Sequence, residues 1–359
     1  MAAVSSQVVA SASQVSAVTT RDFASSIARE WDAFLALQTQ ATPFHSTAWM
    51  RALQKTFHYE NRSIYAERDG RITGVLPLFL ITNWLVGRCL ISIPFADYGG
   101  VCAEDPSTAD ALMSRAKEIG IAEKVDFVEL RHRTAAPRSD FYVRDLYVSF
   151  DTNLESNADL QLKRLPRDTR YMVRKGAKAG LEMHSGLEQL PAFYELFARN
   201  WRRLGTPVLS RQWLETLVDE FQGSAELAMV RLKGRPVCGV FSFVFGDALF
   251  PHYSGAAADA NNLAASNFIY WELMRESIHR GLRRFDFGRS KKGTGAYQFK
   301  STWGMQLNSL EYQVCMVNRT SPPNFSPTNP KFALASRLWS QMPPQMCTWL
   351  GPHIVRWFP

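Results

Sequence analysis

The 359-residue chain lacks the marks of several common protein classes. Its five cysteines, Cys89, Cys102, Cys238, Cys315 and Cys347, are odd in number, far apart and never spaced Cys-x-x-Cys. That pattern argues against a disulfide framework or structural zinc site and favours a reducing, cytoplasmic setting. The seven histidines are dispersed, with no His-x-x-x-His or His-x-His, so no metal centre is expected. There is no Gly-x-Ser-x-Gly elbow and no cysteine in a persuasive setting for nucleophilic catalysis. The first twenty residues carry no charge and lack the basic region and unbroken apolar stretch of a secretory signal. They read as a loose arm entering a strand near Val15–Thr19. The most membrane-like stretch, the uncharged Ile72–Gly87, is shorter than the ~20 residues a spanning helix needs and is interrupted by Gly74 and Pro77. Two buried strands, Ile72–Ile81 and Cys89–Pro94, are expected instead of a transmembrane segment.

What is present is an ordinary globular composition, 46% hydrophobic and 21% charged, which excludes wholesale disorder. Single cores seldom grow beyond ~250–300 residues, so two domains are expected. Positive charge is concentrated late: residues 1–150 hold 15 basic and 16 acidic side chains, residues 151–320 hold 23 and 17, and residues 321–359 hold three and none. Its densest stretch is LKRLPRDTRYMVRKGAKAG, bounded by Pro166 and Gly180 as helix start and stop. Lys163, Arg167, Arg170, Arg174 and Lys178 recur there at spacings that align them on one face. Such a stripe is either a solvated helix face or a groove for an anion such as a diphosphate, a nucleotide sugar or an RNA backbone.

Periodicity gives two units of similar element order. The first holds helices over 22–37 and 47–57 and strands over 61–68, 72–81 and 89–94, with a turn at Asp69-Gly70. A helix over 107–119 follows, then strands over 127–131 and 144–149. The second begins with the basic helix and a strand over 181–184. Helices over 188–204 and 211–220 and strands over 225–232, 236–245 and 248–253 come next. Ser266 is expected to cap a helix over 267–280, ahead of strands over 284–288 and 309–317. The order suggests an internal duplication, although no residue-level repeat stands out. After Asn318 the chain reads NRTSPPNFSPTNPK, a linker. It leads to a tail holding Trp339, Trp349 and Trp357, expected to pack on the body or to rest at a lipid interface.

The region Pro251–Gly304 is richest in informative residues. The helix carrying Asn267, Tyr270 and Trp271, the run Phe285-Asp286-Phe287-Gly288-Arg289-Ser290, and Phe299-Lys300-x-x-Trp303-Gly304 resemble the FemAB-like acyltransferases. The basic helix with Arg170, Arg174 and Lys175 resembles theirs too. PLFL (77–80), PFADYGG (94–100) and the Pro-rich tail resemble the subgroup linked to the XrtA/PEP-CTERM exosortase and exopolysaccharide system. The resemblance spans about residues 14–359. It implies a mixed α/β fold of two tandem GNAT-like (acyl-CoA N-acyltransferase-like) domains: 1–150 on the acceptor side, 151–318 on the donor and catalytic side, and a tail at 319–359. It implies transfer of an acyl or aminoacyl group to an amine or hydroxyl of a phosphorylated envelope, peptidoglycan or exopolysaccharide precursor. Aminoacyl-tRNA or acyl-CoA would be the donor, with no tightly bound cofactor and with contact at the inner membrane only peripheral. The usual acetyl-CoA loop, Gln/Arg-x-x-Gly-x-Gly/Ala before a helix, is replaced by GAAADANNLAAS, which argues against a standard acetyl-CoA site.

Within that frame Lys300 is expected to hold a donor phosphate or stabilise the developing oxyanion. Asp286 either orients a nucleophile or pairs with Arg289 to brace the loop. His252 and Tyr253, at a strand end, either pass a proton or pack as an aromatic pair. Asp97 and Tyr98 are expected at the acceptor, or else only precede a Gly-Gly turn. Arg170, Arg174, Lys175, Asn267, Tyr270, Arg289, Phe299 and Trp303 complete the expected binding set, in a cation-lined cleft that Lys300 and Arg174 share. A catalytically silent module binding an anionic glycan or nucleotide-linked precursor is the alternative. A nucleic-acid regulator is disfavoured because no helix-turn-helix, zinc or RNA-binding signature occurs.

Overall fold

The computed structural model describes residues 17–85, 87–134, 138–320 and 330–358. In chain order the first half comprises β1 (Thr19–Asp22), α1 (Ala28–Ala36), α2 (Thr47–Phe57), β2 (Glu60–Asn61), β3 (Ile64–Arg68), β4 (Arg71–Leu76), β5 (Phe79–Asn83), β6 (Gly87–Ile91), β7 (Cys102–Ala103), α3 (Pro106–Ala122), β8 (Phe127–Arg131) and β9 (Tyr142–Arg144). Then come β10 (Tyr147–Asn153), α4 (Ala158–Arg164), α5 (Arg167–Lys178), β11 (Leu181–Ser185), α6 (Leu190–Arg203), α7 (Arg211–Phe221), β12 (Ala225–Leu232), β13 (Arg235–Phe245), β14 (Ala248–Ala256), α8 (Ala265–His279) and β15 (Arg284–Lys291). The chain finishes with α9 (Gly295–Ser301), β16 (Gln306–Ser309), β17 (Tyr312–Met316), α10 (Pro330–Gln341) and α11 (Pro344–Val355). No helix among the described residues is long and apolar enough to cross a membrane.

The strands form sheets ordered β1-β3-β4-β7, β2-β5-β6-β8-β17-β9 and β11-β12-β13-β14-β15-β10-β16. The single strand expected over 72–81 is two strands in different sheets. Pro77 has no N–H for a ladder, so the chain changes sheet there, and Ser63 Oγ meets the Leu78 N–H at 3.0 Å. The strand expected at 144–149 spans the end of β9, a turn and the start of β10, which pairs with β15 and β16. The strand expected at 309–317 is split, and β17 inserts between β8 and β9. The arm expected at Val15 lies partly outside the described residues. The basic stretch 163–178 is broken at Leu165-Pro166 into α4 and α5. Ser266 does not cap α8; Ala264, at φ 55°, stands there without a side-chain bond.

The duplication is legible in residues once the two halves are compared. Ser46 caps α2 on the N–H of Trp49, and Ser210 caps α7 on the N–H of Trp213. Both helices end in phenylalanine, Phe57 and Phe221, followed by a left-handed residue, His58 and Gln222. The hairpins that follow turn through Asp69-Gly70 and Lys233-Gly234, all four at positive φ, as a tight two-residue turn requires. The α2 and α7 helices pack together, with Trp49 and Trp213 edge to face at 5.4 Å. Trp31, Trp49, Phe57, Trp213, Phe221 and Phe243 belong to one apolar core. The two halves therefore bury their hydrophobic faces against each other, which fixes their mutual geometry.

Candidate functional site

In the seven-stranded sheet β14 and β15 run parallel, joined by α8. They pair only at Ala248 with Arg284 and at Leu249 with Phe285, although β14 continues to Ala256 and β15 to Lys291. Beyond Leu249 the strands diverge and leave main-chain groups facing a wedge. Each strand also carries a bulge there. Phe241 pairs with Tyr253 and Ser242 with Pro251, so His252 is the extra residue on β14. Ser149 pairs with Arg289 and Asp151 with Asp286, so Phe287 and Gly288 oppose Phe150 alone, with Gly288 at φ 68°. A bulge re-aims the side chains around it, and these two turn His252 and the Arg289 N–H toward the wedge.

The first half fills that wedge with its Ile93–Gly100 loop, which contains PFADYGG. Ile93 and Phe95 stand at φ 55° and 61°, costly for a β-branched and an aromatic residue and held only because the surroundings dictate them. The two glycines permit the close approach: a Cβ on Gly99 would lie 2.8 Å from Ile93, and one on Gly100 would lie 2.4 Å from His132 Nδ1. Asp97 thereby enters between β14 and β15. Its Oδ2 accepts the Arg289 N–H at 3.0 Å, and its main-chain oxygen accepts from the Tyr312 hydroxyl. Arg289 Nη1 donates to Tyr312 Oη at 2.9 Å, and its guanidinium lies over the Tyr147 ring at 4.7 Å. Burial opposes ionisation of Asp97, but nearby positive charge, His252 once protonated together with Arg289 and Lys300, holds its carboxyl well below the usual range.

His252 is set by the same loop. Its Nε2 lies 3.2 Å from the Phe95 carbonyl, and since a carbonyl can only accept, the ring proton sits on Nε2. Nδ1 is left without a hydrogen-bond partner, buried, 3.6 Å from Asp97 Oδ2. Phe44 and Trp49 pack on the ring at 4.8 and 5.4 Å. The ring therefore turns an unprotonated Nδ1 toward the Asp97 carboxylate.

Above this floor opens a cavity of about 700 Å³. Asp97, Arg131, His252, Tyr253 and Arg289 make its polar end, and Trp84, Phe95, Trp201, Trp339, Trp357 and Phe358 are among its apolar walls. Part of the roof is α10–α11, which docks on the body: Ser336 Oγ donates to the Gly205 carbonyl at 2.9 Å and Tyr59 Oη to the Arg356 carbonyl at 2.6 Å. Gly351 seats against Val208, where a Cβ would meet the carbonyl at 2.8 Å. Packing on the body was one of the two expectations for this segment.

The remaining expected residues fall elsewhere. Lys300 Nζ donates to the carbonyls of Phe287, Gly288 and Arg289 at 2.5, 3.3 and 2.9 Å. All three N–H positions are taken, so the ammonium holds the β15 bulge; burial lowers it to about 8. Asp286 does not pair with Arg289. It accepts the Gly288 N–H at 2.8 Å and Arg133 Nη2 at 2.7 Å, and Arg133 also binds Asp151 and lies 5.0 Å over Tyr98. Tyr98 and Asp286 thus belong to a polar seam between the halves. Tyr253 accepts from Trp213 Nε1 at 2.9 Å, and burial pushes its phenol up, so it stands neutral at the cavity wall. Tyr270, Phe299 and Trp303 pack with Phe287 in the second apolar core, and Asn267 is buried on α8. Arg174 and Lys175 are exposed on α5, on the side away from Thr169, Val173 and Gly176, and Arg170 donates to the Lys163 carbonyl at 2.6 Å. None of these three, nor Lys300, lines the 700 Å³ cavity; the cations there are Arg131 and Arg289. Arg131 and the Phe95 carbonyl escaped the sequence reading, although an arginine ending the apolar strand FVELR was a usable signal. The five cysteines are free and buried.

A family model described as acetyltransferase (GNAT) domain matches residues 163–301. The crystal structure of FemX superposes with a TM-score of 0.64 at 17% identity, covering 84% of this chain and 98% of that one. A tandem GNAT protein from the clavulanic acid biosynthesis pathway gives 0.54 at 10%, covering 85% and 100%. A conserved protein of unknown function from Bacteroides thetaiotaomicron gives 0.55 at 10%, covering 84% and 100%. No curated relative matches the chain. Residues 163–301 thus match a GNAT acetyltransferase domain, and the chain as a whole has a mixed α/β fold like that of tandem GNAT proteins.

Proposed function

We propose that the chain transfers an acyl or aminoacyl group from an activated donor to an amine or hydroxyl, with Asp97 and His252 handling the proton. The acceptor's lone pair attacks the donor carbonyl and forms the new C–N or C–O bond. Its proton passes to His252 Nδ1, and Asp97 faces the charge that arrives with it. The bond from the carbonyl carbon to the donor's oxygen or sulfur then breaks, and the leaving group departs with the electron pair and takes the proton back. Arg131 and Arg289 hold an anionic part of the acceptor, in keeping with a phosphorylated envelope or exopolysaccharide precursor of the kind the PFADYGG resemblance implies. The cations of α5 that have no carboxylate partner among the described residues offer a place for a polyanionic donor such as tRNA; acyl-CoA is the other donor class.

The observation that carries this reading is the convergence of two bulged, diverging strands and a strained loop from the other half on one buried carboxylate at the end of a cavity. The test is to incubate the full chain with labelled aminoacyl-tRNA or acyl-CoA and a set of amine- and hydroxyl-bearing glycan and lipid-linked precursors, and to follow label into the acceptor by mass spectrometry. Transfer supports the reading. The commitment of Lys300 to main-chain carbonyls favours a second one, a silent module that binds an anionic precursor; retention of a precursor without turnover of any donor would select it.

A further inference from the structure

We propose that the outward face of α10–α11 lays the protein on an anionic phospholipid surface and brings the cavity mouth to the acceptor's hydrocarbon chain; the acceptor clause rests on the reading above, the docking does not. Both helices are two-sided. On α10, Trp339 is buried under the roof while Leu334, Arg337 and Leu338 face out; on α11, Cys347, Gly351 and Val355 face in while Met346, Trp349 and His353 face out. Leu334 is 60% and Trp349 69% exposed, far more than a settled apolar face retains. Trp84, 75% exposed and edge-on to Trp357 at 5.3 Å, extends the surface to the cavity rim.

Charge selects the occupant. Residues 321–359 contain no aspartate or glutamate, and Arg337 and Arg356 are exposed with no carboxylate partner among the described residues. Leucine and tryptophan flanked by unpaired arginines suit the headgroup boundary of an anionic leaflet. The cavity behind these helices has the same polarity gradient, from Trp339 and Phe358 near the roof to Asp97, Arg131 and Arg289 at the floor. Its fit is an amphiphile, with a charged head at the floor and a hydrocarbon chain toward the membrane.

The test is co-sedimentation of the full chain with phosphatidylcholine vesicles, with and without phosphatidylglycerol, alongside the Leu338→Glu/Trp349→Glu double variant. Both positions are exposed, and circular dichroism confirms that the variant is folded. The wild type is expected to sediment with phosphatidylglycerol vesicles, weakly with neutral ones, and less at high salt; the variant should lose at least tenfold in partitioning. A wild type that stays in the supernatant, or a variant that sediments equally, overturns the proposal. So does a dimer that the variant abolishes without any vesicle binding, which would assign the face to a second copy. Transfer to a water-soluble acceptor is measured in the same variant and should be unchanged, so failure of the docking and failure of the transferase reading give different results.

Discussion

Asp97 and Gly288 come from opposite halves of the chain and fit together because one has no side chain: a Cβ on Gly288 would stand 2.2 Å from Asp97 Oδ2. The same glycine takes φ 68° to complete the β15 bulge, so a single position satisfies both the backbone and the carboxylate.

Gly288→Ala therefore carries two penalties. The left-handed backbone and the displaced carboxylate should together destabilise the fold by about 1–3 kcal/mol, read from the denaturant midpoint. Transfer should fall further than the stability loss explains, because Asp97 leaves the Arg289 N–H. An alanine variant with wild-type rate and midpoint would remove Asp97 from the site.

Asp97 also predicts a pH dependence. Its native carboxyl titrates below the unfolded value, so the unfolded chain binds the proton more readily. The stabilisation is fully present above about pH 4–5 and is lost as pH falls through the native value. Thermal melts of wild type and Asp97→Asn should differ most near pH 6–7 and converge in acid. A gap that widens in acid would contradict this.

Lys300 is expected to brace the site. An ammonium offers three donors to three carbonyls and a neutral amine only two. As pH rises through about 8, one carbonyl loses its partner, the bulge loosens and transfer falls. Overall stability moves the other way: the unfolded lysine stays protonated to about 10.4, so over that window the unfolded chain holds more protons and this group's contribution rises with pH. Lys300→Met should lose the alkaline limb of the rate profile and cost about 1–3 kcal/mol at neutral pH through unpartnered carbonyls. An unchanged alkaline limb in the variant would place its origin elsewhere.

The roof is predicted to depend on Gly351. Gly351→Val would push a side chain into the Val208 carbonyl, already 2.8 Å from a Cβ, and overpacking of this kind costs about 1–3 kcal/mol. Limited proteolysis should then cut between α10 and α11 faster than in wild type, with the rest of the chain intact. Unaltered cleavage would show that α11 is seated by other contacts.

Local pattern carried much of the fold. Apolar periodicity bounded α2, β8 and β12 as the structure has them, and the PFADYGG loop drew notice through a family resemblance, not through its strain. What local pattern could not carry was partnership over distance. Asp286 lies three residues from Arg289 in sequence, yet its partner Arg133 comes from the other half of the chain. Lys300 reads as a free cation in a glycine-rich stretch until the β15 bulge turns three carbonyls toward it. His252 was a candidate from its place at a strand end, but the bulge that aims its ring depends on the register of the neighbouring strand. The basic stripe was read as one face from Lys163 to Lys178, but Lys163 lies on α4, and the outward face of α5 follows from Gly176 packing on Phe268, which no charge count reveals.

The most direct test of the account is the transfer rate of His252→Gln against wild type, with the fold of both verified by circular dichroism. Glutamine keeps an N–H for the Phe95 carbonyl but offers no basic nitrogen toward Asp97. A fall on the order of 10²–10⁴ with an unchanged melting temperature is the predicted result. Equal rates in the two proteins would contradict the assignment of the proton to His252 and with it the site.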